Sequence, residues 1–298
     1  MKALCFGSLN IDHTYKVNHF VSKGETLASS LMQDFPGGKG LNQAIALSRA
    51  GVPTIHAGVV GADGKILINT LKNANVDTSL IQINENVPSG HAIIQIDDTG
   101  DNCILLYGGA NQSITKEYID EVLGQMDKGD YIILQNEIND VPYIVDAAKE
   151  NDMYVVFNPS PMDEKVFQVD LNKIDLLILN EIEASQILSL KGESYETLIN
   201  KLNIKFPKSE IMLTLGSEGS IYGYKGNIIK QDAFKTNVVD TTAAGDTFLG
   251  YFVAGKMDAM DIKENMKRAS MASSMAISRN GASISIPELK EVLKYIDH

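Results

Sequence analysis

The sequence predicts an α/β fold: a three-layer sandwich with a mostly parallel central sheet, plus a small β-sheet lid. Three observations carry this. Apolar runs of strand length recur from Thr54 onward, and strands buried on both faces read as such continuous runs. Helical stretches separate them, which is the alternation of a parallel sheet covered on both sides. Three further β-like segments break that alternation, so they belong to a second, smaller sheet.

In chain order, Ala3–Phe6 is a short apolar run ending in Gly7-Ser8, a buried strand that meets a turn. Thr14–Val17 and Ala28–Asp34 are the first lid segments. Leu41–Ala50 is helical, and Gly51 supplies its stop signal. Thr54–Val60 is the next strand and Gly64–Asn73 the next helix. Ala92–Ile96 and Asn102–Tyr107 flank Thr99-Gly100-Asp101, turn chemistry that closes a hairpin. Strands follow at Tyr131–Leu134, Tyr154–Phe157, Asp175–Leu179 and Ile211–Leu215. Helices lie at Lys116–Leu123, Val141–Glu150, Ile182–Leu188 and Tyr195–Leu202. The apolar segment from Phe248, then Lys263–Ile277 and Pro287–Ile296, are late helices, the last with Pro at an N1-like position. The expected organisation is one domain over 1–298, with lid strands inserted at about 12–35 and 88–108.

A chain of 298 residues can bury about three quarters of its unfolded surface, so a large core is available. The net charge is −12, and the only arginines are Arg49, Arg268 and Arg279. Without a basic stripe, nucleic-acid binding is not expected. No apolar stretch reaches the length of a membrane span, and Ala3–Phe6 is too short for a signal-peptide core. Cys5 and Cys103 make no disulfide framework, which points to a reduced, cytoplasmic setting. His13, His19, His56, His91 and His298 show no spacing of transition-metal ligands.

The chemistry concentrates in Asp240-Thr241-Thr242-Ala243-Ala244-Gly245-Asp246-Thr247. Small residues leave backbone N–H groups uncovered, and the start of the following helix favours an anion. Asp246 at that place would put a base beside an anion hole, the pairing that phosphoryl transfer to a hydroxyl needs. The same residues also fit a small-residue turn with Asp capping a helix. Asn10 and Asp12 follow the first strand, where ligands of open α/β sheets bind, but they fit a plain turn as well. Gly37-Gly38-Lys39-Gly40 is neither a Walker loop nor a dinucleotide fingerprint. Glu137, the pair Asn180 and Glu183, and the turn Thr214–Gly219 all follow strands.

Together these stretches resemble the ribokinase-like (PfkB) family of carbohydrate kinases. Gly37–Ala44 resembles its N-terminal signature and Asp240–Thr247 its C-terminal signature. Gly7–Asp12 is similar to its sugar-binding start, and Asn180-Glu181-Ile182-Glu183 to its metal motif. The four occur in family order over nearly the whole chain. Gly108-Gly109-Ala110-Asn111 and Gly281–Ser285 fit the member that acts on ribose.

The resemblance implies an ATP-dependent sugar kinase, with D-ribose as the expected acceptor and D-ribose 5-phosphate as product. It implies that Asn10, Asp12, Gly38, Lys39, Asn42 and Glu137 hold the sugar. Asp246 would be the base, with Ala243, Ala244 and Gly245 forming the anion hole. ATP would meet Asn180, Thr214, Gly216, Ser217, Gly219, Gly245 and Ser270. Mg²⁺ would lie near Asn180 and Glu183, and K⁺ near Asp240, Thr242, Ala276, Arg279, Gly281 and Ser285. Two lids would pair in a homodimer. The alternatives are a sister kinase for another sugar or a nucleoside, and a catalytically silent sugar sensor.

Overall fold

The computed structural model describes residues 1–296. The strands are β1 (Ala3–Phe6), β2 (Asn10–Lys16), β3 (Leu31–Gly37), β4 (Thr54–Val60), β5 (Asp77–Ile83), β6 (Gly90–Ile96), β7 (Asn102–Tyr107), β8 (Tyr131–Gln135), β9 (Tyr154–Asn158), β10 (Leu176–Asn180), β11 (Glu210–Thr214), β12 (Ser220–Tyr224) and β13 (Asn227–Gln231). The helices are α1 (Lys39–Arg49), α2 (Lys65–Asn73), α3 (Lys116–Leu123), α4 (Val141–Glu150), α5 (Glu181–Leu188), α6 (Tyr195–Lys205), α7 (Ala244–Met257), α8 (Ile262–Ile277) and α9 (Leu289–Ile296).

The large sheet has the order β13-β12-β11-β10-β9-β8-β1-β4-β5. From β11 to β5 every pairing is parallel, and β12 and β13 add an antiparallel edge. Successive side chains leave opposite faces of a strand, so one strand feeds two cores. Leu4 and Phe6 pack with Ile119, Ile144 and Leu198 of α3, α4 and α6. Ala3 and Cys5 pack with Ile45, Leu249 and Ala269 of α1, α7 and α8. The three expected layers are therefore present.

The second sheet has the order β3-β2-β6-β7. The hairpin expected around Thr99–Asp101 joins β6 to β7, with Gly100 at φ 88. Register places Phe35, Asp12, Ala92 and Leu106 in one cross-strand row, hence on one face. Phe35, Ile104 and Leu106 on that face are exposed.

The structure corrects several boundaries. The segment expected at Ala28–Asp34 is β3, displaced so that it runs directly into Gly37-Gly38. α9 begins at Leu289, so Pro287 is not its N1 residue; its carbonyl instead accepts the Tyr251 hydroxyl at 2.8 Å. The edge strands β5 and β13, and β12 beside β13, were not expected at all. Among the described residues no helix is long and apolar enough to cross a membrane. Cys5 is buried and Cys103 exposed, both as free thiols. His298, read as no metal ligand, lies outside the described residues.

Candidate active site

The predicted sugar residues gather where β1 and β8 end. Asn10 is buried at the start of β2, and its Oδ1 accepts Asn111 Nδ2 at 2.7 Å. Asn111 also accepts the Leu9 N–H at 3.0 Å, so a buried amide fixes the β1–β2 turn. Asp12 lies next on β2, against Gly37, where an added Cβ would fall 2.1 Å from its carboxylate. Burial, then the charge of Glu137, raise the Asp12 pKa to about 6, with His13 opposing them.

Glu137 follows β8 and is half-buried. Its Oε2 accepts the Ser8 hydroxyl and the Lys39 N–H, the latter at 3.0 Å. Burial raises its pKa, while Lys39 and Ser8 oppose the rise. It thus clamps the Gly38-Lys39 loop onto the end of β1. Gly38 sits at φ 94, a conformation that favours glycine. Gly40 packs directly on Ser8, with room for no side chain.

Asp246 does not cap a helix. α7 begins at Ala244 with Ala243 as N-cap, and Asp246 is already inside the first turn. Its carboxylate is buried and accepts Asn42 Nδ2 at 3.1 Å and Gln43 Nε2 at 2.9 Å, both from α1. The Thr241 carbonyl accepts Ala244 N–H and the Ala243 carbonyl accepts Thr247 N–H. The N–H groups of Gly245 and Asp246 have no protein partner among the described residues. Gly245 is exposed, and a Cβ on it would meet open space. Free donors at a helix start, with no side chain above them, form an anion cradle.

Lys39 is half-buried beside this cradle. Burial pulls its pKa down, but the charges of Asp246, Glu137 and Glu183 outweigh it and hold the ammonium above its ordinary value. Lys39, Asn158, Asn180, Glu183, Thr242, Gly245 and Asp246 line one small cleft. A larger cavity of about 450 Å³ adjoins it through Thr214 and Gly245. Gly216, Ser217, Gly219 and Ser270 line this larger cavity, together with Phe234, Lys235 and Thr236.

Asn180 and Glu183 form a capping box at the start of α5. Asn180 Oδ1 accepts Glu183 N–H at 2.9 Å, and Glu183 Oε2 accepts Asn180 N–H at 2.9 Å. Burial raises the Glu183 pKa, opposed by the Asn180 N–H and Lys39. Both residues therefore serve the start of α5, and both still face the cleft. Among the described residues no three His, Cys, Asp or Glu side chains gather as a metal shell. That donor set fits Mg²⁺ held mainly through water and phosphate, not a protein cage.

Asp240 joins two segments. Its carboxylate accepts Thr242 N–H at 2.9 Å and Gly281 N–H at 3.0 Å. Burial alone would raise its pKa; these bonds and the Thr242 hydroxyl bring it below the ordinary value. The backbone N–H groups of Val239 and Asp240 both reach the Ile277 carbonyl. A carboxylate offers about four acceptor positions, so Asp240 keeps capacity for a cation. Ser285 is buried with its hydroxyl on the Ala282 carbonyl, and the Arg279 guanidinium pairs with Glu291 at 2.9 Å. The Ala276 carbonyl accepts the Arg279 N–H at 3.1 Å.

The structure thus brings the predicted sugar, base and phosphate residues to one end of the sheet. It adds Ser8, Gln43, Asn111 and Gln135, which sequence reasoning did not select. Ser8, Gln43 and Asn111 lie inside the Gly7–Asp12, Gly37–Ala44 and Gly108–Asn111 stretches, whereas nothing in the sequence marked Gln135.

The chain as a whole is similar to known proteins in sequence and in fold. The sequence model of the pfkB family of carbohydrate kinases matches residues 1–289. Ribokinase of Staphylococcus aureus is 32% identical over 98% of both chains. Ribokinase of Haemophilus influenzae is 30% identical over 98% of this chain and 97% of its own. The structure of Arabidopsis thaliana ribokinase complexed with ribose and ATP aligns at TM-score 0.89 and 27% identity, covering 100% of this chain and 99% of that one. Shared sequence over the whole length, a shared fold and both signatures in register leave one assignment: the chain belongs to the pfkB family of carbohydrate kinases.

Proposed function

We propose that this chain transfers the γ-phosphoryl group of ATP to O5 of D-ribose, giving D-ribose 5-phosphate. The observation that carries this reading is Asp246: a buried carboxylate held by two amides, directly beside an open backbone anion cradle. A sensor has no use for that pairing. Relatives named ribokinase, matched along their full length, supply the acceptor.

Asn10, Asp12 and Asn42 orient the sugar, and Glu137 keeps the Gly38-Lys39 loop in place. Asn42 Oδ1 is buried without a protein partner among the described residues, and a sugar hydroxyl would satisfy it. The reacting hydroxyl gives its proton to Asp246 as its oxygen bonds phosphorus and the bond to the leaving ADP breaks. The N–H groups at Gly245 and the Lys39 ammonium meet the phosphoryl charge. Asn180 and Glu183 would hold Mg²⁺, which supplies charge neutralisation on the phosphates when bound.

Acceptor choice is tested by kcat/KM across ribose, 2-deoxyribose, fructose and nucleosides. Relatives named deoxyribokinase, 26% identical, make 2-deoxyribose the sharpest competitor. Ribose is expected to lead. A competitor ahead by about tenfold, the discrimination one methylene-sized contact can supply, makes this a sister kinase.

K⁺ bound by Asp240, the Thr242 carbonyl and the Ala276–Ser285 segment would stiffen the loop that presents Gly245. K⁺ should then raise kcat more than it changes either KM, since displacing such donors by about 1 Å costs on the order of 10²-fold. Titrating K⁺ against Na⁺ and choline at fixed ionic strength reads this out. An Asp240→Ala variant that responds to K⁺ like the parent would exclude the site.

The exposed apolar lid face carrying Phe35, Ile104 and Leu106 suits a second copy of the lid. A homodimer of twice the 32.5 kDa chain is expected in sedimentation at micromolar concentration. A fully active monomer would remove the dimer as a requirement.

A further inference from the structure

We infer that Gln43 is a positioning residue for the catalytic carboxylate, and that Gln135 fixes the end of the Gln43 amide facing it. This rests on Asp246 being the base. Gln43 and Gln135 are both fully buried. Gln43 Nε2 donates to Asp246 Oδ1 at 2.9 Å, and its Oε1 accepts Gln135 Nε2 at 2.7 Å. The carboxylate only accepts, so it takes the donor end of Gln43, and Gln135 Nε2 meets the Oε1 end that faces away from it. A flipped amide would aim an oxygen at Asp246 and an N–H₂ at another N–H₂.

The scaffold behind this contact is tight. Gln43 and Ala46 share a face of α1, and Asp246 and Gly250 share a face of α7. One turn beyond the Gln43–Asp246 bond, α1 and α7 touch at Ala46 and Gly250, where an added Cβ would lie 2.4 Å from that of Ala46. Gln135 packs against the β1 end in the same way, since a Cβ on Gly7 would lie 2.1 Å from its Oε1. In a dry interior each of these two bonds is costly to break, so Gln135, Gln43 and Asp246 are coupled, while Gln135 Oε1 itself has no protein partner among the described residues. Asn42 secures the other carboxylate oxygen but also faces the sugar. Gln43 is behind the base and needs to touch neither substrate.

The test is steady-state kinetics on Gln43→Met, Gln135→Met, the double variant and Asp246→Asn, with thermal melts to confirm folding. A hydrogen bond to a charged group is worth about 1.5–3 kcal/mol. Gln43→Met should therefore lower kcat on the order of tenfold to a hundredfold, with both KM values within about threefold of the parent. Gln135→Met should cost less. The double variant should match Gln43→Met, because both losses pass through one contact. If Gln43→Met does not fold, Gln43→Glu keeps the shape and sets two carboxylates against each other, and kcat should again fall. Parent kcat in the folded Gln43 variant, with Asp246→Asn inactive, overturns this inference alone. Additive losses in the double variant overturn the role of Gln135 as acting through Gln43. Near-parent kcat in Asp246→Asn overturns the base assignment and the inference with it.

Discussion

Asp246→Asn is expected to lower kcat by at least ~10²-fold, the lower end for a positioned general base, with little change in the KM for sugar. The substitution keeps size and shape, so the packing of α7 on α1 survives. It removes the acceptor for the hydroxyl proton. It also places an amide between two amide donors, Asn42 Nδ2 and Gln43 Nε2, so one must lose its bond. The anion cradle is untouched, because its donors are backbone groups. ATP affinity should therefore hold while turnover fails. A variant turning over near the parent rate would sink the base assignment.

Asp12→Asn is expected to lower kcat/KM for the sugar on the order of 10²-fold, the scale of one or two charge-assisted hydrogen bonds. The KM for ATP should change little. The same carboxylate predicts a pH response. Its pKa is raised to about 6, so it is ionised above that pH and becomes neutral below it. Sugar KM should rise as pH falls through about 6, and Asp12→Asn should flatten that limb. Stability runs the other way. A raised acid pKa means the fold favours the neutral form, so the Asp12 contribution is full below its unfolded pKa and lost as pH rises through about 6. Acid should thus weaken sugar binding without destabilising the protein through this group. A sugar KM that stays flat from about pH 8 to pH 5 would show that Asp12 is not the acceptor.

The parallel strands were legible because burial on both faces makes them continuous apolar runs. β5 (Asp77–Ile83) was not, since as an edge strand it mixes Asp, Thr, Ser and Gln with its apolar residues. β12 and β13 turn through Lys225-Gly226, both at positive φ, and Lys is not a residue that announces such a turn. The family relation and the signature loops were legible as motifs; the contacts inside them were not. Gln43 reads as an ordinary polar position of α1, and Gln135 as the end of an apolar strand. Their partners, at positions 246 and 43, are brought close only by folding. The setting of Glu137 was not legible either, because Ser8 and Lys39, which it holds, lie far back in the N-terminal part of the chain. The segment at Phe234–Thr236 has no periodicity, so nothing pointed to its place at the large cavity.

Asp12 belongs to the lid and not to the sheet below it. A sugar held by both Asp12 and Asn42 would span two bodies, and its binding would bias the angle between them. Linkage makes such a bias reciprocal. Whatever steadies the lid from outside then strengthens sugar binding, and sugar strengthens the grip of whatever steadies it. With a second copy clasping the apolar face, self-association becomes a term in substrate affinity, and the enzyme's KM should depend on its own concentration near the dissociation constant of the pair. Sedimentation with and without ribose measures that term; identical dissociation constants would mean the lid is already fixed in place before sugar arrives.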